Sequence, residues 1–469
     1  MNLKTSDRYD LAIIGAGSAG FSAAITAADQ GANVLLIGHG AIGGTCVNVG
    51  CVPSKTMIRA AETLHQAKTA NRFQGIEASG TITDWSALMA DKSRLVSDLR
   101  QAKYIDVLPS YESVTYREGK ARLMDGGVSV SGEFIEVSKV IIATGSSASL
   151  PSIEGISDVP YLTSTTALEL KHLPKSMIVI GGGVIGCELG QMFARMGTTV
   201  TIICRSRLLP SGEPEISQLL QGSLESEGVN VRNGATYKSI NKNGDICLGY
   251  EHEGSHHDLV AEQVLVATGR RPNTDDLGLE EIGVELLPNS GIKTDDRMQT
   301  TRIGVYAAGD VTGQDMFVYM AANGAKIASE NALNDDSLQY DNSVMPEVVF
   351  TDPQVASVGL SEAAAHLAGY NVKTSTLSLE HVPRALAARD TRGLIKLVAD
   401  RDTNKLIGAH IVAPEGADSI QTAAIAIKVG MTTDQLGAMI FPYLTTVEGL
   451  KLAAQTFDKD VSKLSCCAG

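Results

Sequence analysis

The glycine spacing of a dinucleotide-binding turn occurs twice in this chain of 469 residues. The first copy lies in YDLAIIGAGSAGFSAAITAADQGANVLLIG, where an apolar strand over Leu11–Ile14 meets Gly15, Gly17 and Gly20. An alanine-rich helix follows, and a second strand over 33–37 closes a βαβ unit. The glycines permit a tight turn, close approach of a pyrophosphate, and tight packing of helix on strand. The helix N-terminus then offers N–H groups and partial positive charge to the phosphates. The second copy, KSMIVIGGGVIGCELGQMFARMGTTVTIICRSR, holds Gly181, Gly183 and Gly186 at the same positions. One such pattern is weak evidence, but two in the order strand, turn, helix, strand point to an α/β chain with two Rossmann-like domains. Two nicotinamide sites would serve no chemical purpose, so the duplication reads as a flavin that takes electrons from a nicotinamide.

The ends of the second strands indicate which ribose each unit accepts. A carboxylate there binds ribose hydroxyls, whereas arginine suits a 2′-phosphate. In the second unit Cys204 ends the strand and Arg205 and Arg207 follow, with no acid. This favours NADPH over NADH; the alternative is that both arginines simply face water. In the first unit the strand ends in Ile37-Gly38-His39, and the expected acid is missing. Two further segments repeat: VIIATGSSASLP, with Thr144 and Gly145, and VLVATGRRPNT, with Thr268 and Gly269. Each reads as a strand leaving a dinucleotide domain through a turn of small residues. GVYAAGDVTG then sets Asp310 after a strand and a glycine, suited to a flavin's ribityl or phosphate region; a buried aspartate satisfied by local amides is the plainer alternative.

The length calls for two or three domains. The net charge of -14, from 39 basic and 53 acidic residues, argues against a nucleic-acid or anionic-membrane partner. No apolar run is long enough to span a membrane. The first strand begins within about a dozen residues of Met1 without a signal peptide's apolar region, which points to the cytoplasm. Seven cysteines, an odd number, do not read as a secreted disulfide framework. In a reducing compartment, paired cysteines point to redox or metal chemistry. Cys187, Cys204 and Cys247 have no partner at metal-binding spacing and read as structural.

Cys46 and Cys51, in GGTCVNVGCVPSK, are separated by four residues, which is neither a zinc-knuckle nor a thioredoxin spacing. Five steps of an ideal helix set the sulfurs well apart, so a disulfide between them needs a distorted first turn, for which Gly50 and Pro53 are suited. Cys51 then lies near a helix N-terminus, where a thiolate is favoured, and Lys55 adds positive charge one turn on.

With its two glycine turns, two ATG segments, AAGD and the later PEVVFTDPQVASVG, the chain resembles the FAD-dependent pyridine nucleotide–disulfide oxidoreductases over nearly its whole length. The resemblance implies a homodimer that binds FAD and NADPH, with an α+β dimerisation domain at its C-terminal end. It divides the chain into an FAD-binding domain over 1–149 and 273–340, an NADPH-binding domain over 150–272, and a dimerisation domain over 341–469. It also implies electron flow from NADPH through FAD to a Cys46–Cys51 disulfide, in which Cys51 faces the flavin and Cys46 exchanges. Glu188 matches a residue of that family that pairs with the lysine matched by Lys55.

The chain departs from the disulfide-reducing members near its end. Those carry a His-Pro-Thr motif whose histidine moves a proton to the leaving thiol. Here IFPYLTTVEGL has Phe441, Pro442 and Tyr443 in that place, and Glu448 lies two positions beyond the family's glutamate. An apolar ring moves no proton. A substrate that thiolates bind without a proton relay is a soft metal ion. The chain's KLSCCAG end supplies a second thiol pair, Cys466 and Cys467, on a terminal segment expected to swing.

FPYLT and the terminal Cys-Cys resemble the mercury-reducing branch of the same family. What this implies is an enzyme in which Cys466 and Cys467 of one subunit pass Hg(II) to Cys46 and Cys51 of the other, where it leaves as Hg(0). Tyr104 and Tyr443 match tyrosines at that branch's metal site; alone, Tyr104 reads as an ordinary half-buried tyrosine. An N-terminal CxxC metal-binding domain, frequent in the branch, is not expected here. Hg(II) is then collected by the tail, from small thiols or from a mercury transport protein. One rival reading is a thioredoxin-reductase-like disulfide reductase, against which Phe441 argues. The other is a thiol protein that sequesters mercury without reducing it, against which the two dinucleotide turns argue.

Overall fold

The computed structural model describes residues 9–334 and 336–460. Its first stretch opens with β1 (Leu11–Ile14), α1 (Ser18–Asp29) and β2 (Val34–Gly38). Two helices follow, α2 (Gly44–Asn48) and α3 (Cys51–Lys68), then α4 (Trp85–Arg100), β3 (Val114–Glu118) and β4 (Val140–Ile142). The next stretch carries β5 (Ser176–Ile180), α5 (Val184–Met196), β6 (Thr199–Ile203), α6 (Pro214–Ser226), β7 (Asn230–Arg232) and β8 (Gln263–Val266). The chain then returns to its first sheet with β9 (Val305–Ala307) and α7 (Val318–Leu333). It ends with β10 (Glu347–Val349), β11 (Gln354–Gly359), β12 (Val372–Ser378), β13 (Leu394–Asp400), β14 (Leu406–Ala413), α8 (Gly416–Lys428) and α9 (Glu448–Gln455).

These elements form two compact units. The first comprises the chain up to Ser54 with Ser86–Ser149 and Gly269–Asn342. Its parallel sheet has the order β9-β4-β1-β2-β3. Parallel strands covered on both sides read as unbroken apolar runs, and β1 and β2 are buried at every position. On one face, alanines of α1 and α7 (Ala23, Ala27, Ala325, Ala328) join Leu11, Ile13, Val34 and Leu36 in one core. On the other, Ile14, Leu35 and Ile37 pack with Leu123, Val128 and Val130 of a small antiparallel sheet. The second strand lies one residue later than the expected 33–37, so Gly38 belongs to it.

The second unit comprises Lys55–Trp85, Leu150–Thr268 and the chain from Ser343 onward. It holds a parallel sheet, β7-β6-β5-β8, and a five-stranded antiparallel sheet, β10-β11-β14-β13-β12. Alanines and isoleucines of α8, with Leu450, Ala453 and Ala454 of α9, cover the antiparallel sheet. No helix among the described residues is long and apolar enough to cross a membrane.

Both Rossmann turns depend on an absent side chain. A Cβ on Gly20 would lie 1.7 Å from the Gly15 oxygen, and one on Gly186 would lie 2.0 Å from the Gly181 oxygen. Neither α1 nor α5 has an acid in its first turn, so each N-terminus stays suited to an anion.

The second unit also buries charge. Lys396, on β13, donates to Glu213 at 2.9 Å, Glu215 at 3.1 Å and Glu362 at 2.7 Å. The Lys396 and Glu213 side chains are 2% and 4% exposed. Burial raises the Glu213 carboxyl, but the Glu362 amide and the Lys396 ammonium outweigh burial and hold it below the usual carboxylate range. A depressed folded-state pKa contributes stability above the ordinary value of about 4.3, and that contribution is lost as pH falls through the depressed value. Lys396→Met leaves Glu213 buried without its cation and should cost about 3–5 kcal/mol at pH 7. Thermal unfolding of both proteins from pH 7 to pH 3 checks this: the gap between them should narrow once Glu213 is protonated.

Candidate active site

The redox segment rests directly on the first glycine turn. Gly17 and Gly43 form a parallel β-bridge, and the Gly43 amide donates to the Ala16 carbonyl at 2.8 Å. A Cβ on Gly44 would lie 2.6 Å from the Gly17 Cα, so no side chain fits there. Cys46 follows two residues later on α2, half-buried, and Cys51 opens α3, exposed. Cys51 stands at a helix N-terminus as expected, and a separate short helix carries Cys46, the two parted at Val49 and Gly50. The physical reason lies at Gly50, where a Cβ would approach the Thr45 carbonyl to 2.9 Å as the chain turns back on α2.

Asn48, between the cysteines, fixes this turn. Its amide donates to the carbonyls of Ile42 at 2.9 Å and Gly44 at 2.8 Å, and its oxygen accepts from Arg100 at 3.2 Å. Beyond Arg100, α4 runs into a π-helical turn, Gln101–Ile105, that carries Tyr104. Such turns recur at functional sites. The Tyr104 ring packs edge-on against Phe21 of α1 at 4.8 Å and lies over Gly43, while its hydroxyl meets Ser18 at 3.2 Å. Tyr104 is therefore held between the glycine turn and the start of the cysteine segment.

On the ATG side of the first unit, Thr144 and Asn273 bind each other. The Thr144 hydroxyl donates to the Asn273 carbonyl at 2.7 Å, and the Asn273 amide donates to the Thr144 carbonyl at 2.9 Å. Asp310 accepts from the Ser146 hydroxyl at 2.6 Å through Oδ2, and Arg270 donates to the same hydroxyl at 2.7 Å. The other Asp310 oxygen makes no hydrogen bond among the described residues and can accept one from a ligand. A Cβ on Gly145, Gly183 or Gly269 would meet nothing within 4 Å, so open space lies before each. These turns therefore fit the phosphates and sugar of a dinucleotide.

In the second unit, Lys55 donates to Glu188 at 2.8 Å and lies 4.9 Å from the Phe350 ring centre. Glu188 is buried and also accepts the Phe350 amide at 2.9 Å, so both its oxygens are engaged. Arg205 is exposed after β6, whereas Arg207 is committed to its own loop. The Arg207 guanidinium donates to the carbonyls of Pro210 at 2.9 Å, Gly212 at 2.7 Å and Glu213 at 3.3 Å. Phe441 packs on the apolar core of the antiparallel sheet, and Tyr443 is exposed beside it in sequence. Glu448 is buried and accepts the Leu444 amide at 3.2 Å, so it holds the loop that carries Tyr443. Cys466 and Cys467 lie outside the described residues.

Sequence reasoning missed Asn48, Arg100, Ser146, Arg270 and Asn273. Asn48 stands inside the cysteine motif and Ser146, Arg270 and Asn273 inside the two ATG segments, so a signal was present for those four. Cys187 and Cys204 are buried thiols that donate to the Gly182 carbonyl at 3.5 Å and to Asn233 Oδ1 at 3.1 Å.

Residues 9–326 match the family model described as pyridine nucleotide-disulphide oxidoreductase, and residues 345–454 match that of its dimerisation domain. Among curated relatives, the chain is 47% identical to mercuric reductase of Lysinibacillus sphaericus, covering 100% of this chain and 86% of that protein. It is 48% identical to mercuric reductase of Staphylococcus aureus, over 98% of this chain and 84% of that one. With mercuric reductase of Streptomyces lividans the identity is 44%, over 100% of both. Among solved structures, the HOCl-induced flavoprotein disulfide reductase RclA of Escherichia coli, as its Cu(II) complex, superposes with a TM-score of 0.85 at 28% identity, covering 97% of this chain and 100% of that one.

The two arginines after β6 should separate on substitution. Arg207→Ala is expected to cost about 1–3 kcal/mol through its lost loop hydrogen bonds, read as a lower melting temperature. Arg205→Ala should leave the melting temperature unchanged and raise the KM for NADPH about tenfold relative to NADH, the size of one charged hydrogen bond. Steady-state kinetics with both nucleotides check it.

Proposed function

The chain belongs to the pyridine nucleotide–disulphide oxidoreductase family, and from that premise we propose that it is a mercury(II) reductase. The observation that carries this reading is 44–48% identity to mercuric reductases along almost the whole chain. The place of Phe441 supports it. An apolar ring packed on the core can neither take a proton from nor give one to a substrate thiol, so disulfide exchange loses its acid–base partner.

When bound, NADPH and FAD supply the two electrons that convert Hg(II) to Hg(0). The protein's own groups bind, hold and hand over the metal. Cys466 and Cys467 of one subunit take Hg(II) from small thiols or a mercury transport protein. Each transfer to Cys46 and Cys51 of the partner subunit forms one mercury–sulfur bond and breaks another, so the step is ligand exchange between soft sulfur pairs. Cys51 begins α3, where the helix N-terminus favours the thiolate. Once the metal is reduced, both thiolates remain on the protein and Hg(0) departs as a neutral atom. Tyr104 and Tyr443 are assigned to the metal site, where a phenol orients the metal–thiolate complex.

For the cofactors, residues 1–149 and 273–340 form the FAD-binding part and residues 150–272 the NADPH-binding part. Gly15, Gly17, Gly20, Thr144, Gly145 and Asp310 serve the first; Gly181, Gly183, Gly186, Arg205 and Gly269 serve the second, while Arg207 braces the loop beside Arg205. Lys55 and Glu188 act as a pair, the buried carboxylate fixing the ammonium. Residues 341–469 form the dimerisation part, and the protein works in the cytoplasm as a homodimer.

The double variant Cys466→Ala/Cys467→Ala tests the transfer. It is expected to retain NADPH-driven bleaching of the flavin while losing about tenfold or more in turnover of Hg(II) held by excess thiol, one ligand-exchange route being gone. Turnover equal to wild type at the same thiol excess would remove the tail from the mechanism.

A further inference from the structure

The end of β2 lacks the acid that a Rossmann fold normally presents to a ribose, and the structure explains why none fits. A Cβ on Gly38 would lie 2.6 Å from the Tyr116 hydroxyl, 2.8 Å from its ring and 2.9 Å from the Ala16 Cβ. The phenol of Tyr116, on β3, therefore fills the space that a side chain at 38 would need. Because Ala16 belongs to the glycine turn, that phenol lies at the carboxyl end of β2 beside the pyrophosphate-binding loop. Ligands of open α/β sheets bind at this edge.

The ladder places a carboxylate there by another route. Gly38 is in register with Glu118, the last residue of β3, and the Gly119 amide donates to the Gly38 carbonyl at 2.8 Å. Neighbouring strands lie about 4.8 Å apart, so Glu118 starts one strand spacing from the missing acid. Side chains two apart on a strand share a face. Tyr116 packs with the α1 core, so Glu118 stands on that same face. Burial and the negative charge of Glu118 both push the Tyr116 phenol above its ordinary pKa, which keeps it a neutral donor. Among the described residues neither the Tyr116 hydroxyl nor the Glu118 carboxylate has a hydrogen bond or ion pair, and Glu118 is exposed.

We propose that Glu118, with the Tyr116 hydroxyl beside it, replaces the absent acid at Gly38 and binds the adenosine ribose hydroxyls of FAD. The proposal rests on the FAD reading of the first unit. The ribose donates O–H groups to the carboxylate, and the phenol supplies the adjoining donor or acceptor. The carboxylate sits on the neighbouring strand in register with Gly38, and the glycine leaves room for the tyrosine.

The test titrates flavin-free protein with FAD, and with an FAD analogue lacking the adenosine 2′-hydroxyl, following quenching of flavin fluorescence. Wild type, Glu118→Ala, Glu118→Gln and Tyr116→Phe are compared. Glu118→Ala should weaken FAD about tenfold or more, the scale of a charge-assisted hydrogen bond, and leave affinity for the analogue within about threefold of wild type. Glu118→Gln and Tyr116→Phe should fall between. Unchanged FAD affinity in Glu118→Ala, or equal weakening of both flavins, would overturn the proposal. Failure of the wild-type protein to take up FAD would instead overturn the reading beneath it.

Discussion

The contact of Gly17 with Gly43 and Gly44 is the constraint on which the site depends. It is a contact of backbone on backbone, possible because neither glycine turn carries a Cβ, and it joins the first glycine turn to the segment that bears Cys46. The same economy recurs within each Rossmann turn, where Gly20 and Gly186 let a helix close onto its own strand. Asn48 and Arg100 then lock the cysteine turn, and Tyr104 closes over Gly43. The first glycine turn and Cys46, two residues past Gly44, are thus set by one continuous main-chain contact.

Charge is handled by a different rule. Glu188 is buried and fully engaged by Lys55 and the Phe350 amide, and Lys396 draws three carboxylates around one ammonium. Such pairs add little net stability over apolar packing, but breaking one partner is costly. Around the FPYLT loop the polar work is done by backbone clamps: Glu448 takes the Leu444 amide and the Thr445 hydroxyl donates to the Pro442 carbonyl at 2.8 Å. Phe441 on the core beneath it leaves that loop without the histidine that relays a proton in the disulfide-reducing members. A thiolate-bound soft metal needs none.

What could be read directly from the residues was whatever repeats locally. The strand Leu11–Ile14, the glycine turns and their helices follow from period and spacing, and the strand before Asp310 follows from GVYAAGD. What could not be read depends on partners far along the chain. Arg207 looked like a phosphate ligand because it is a cation after a strand; in the fold its donors serve three carbonyls of its own loop. The missing acid at Gly38 looked like an uncompensated loss because β3 lies eighty residues downstream, and only the ladder reveals that Tyr116 and Glu118 face the same edge. The helix start at Cys51 was legible from Pro53, whereas the short helix that carries Cys46 was not, since it rests on the contact with Gly17. Glu448 had no role in sequence, since its partner is a backbone amide.

This chain delivers nicotinamide electrons to a metal rather than to a disulfide. The most direct measurement collects mercury vapour while following NADPH oxidation by the purified holoenzyme, first with Hg(II) in excess small thiol, then with oxidised thioredoxin. Release of one Hg(0) for each NADPH oxidised is expected, with no oxidation above background with thioredoxin. NADPH consumption that follows thioredoxin, with no mercury vapour from the first reaction, would contradict it.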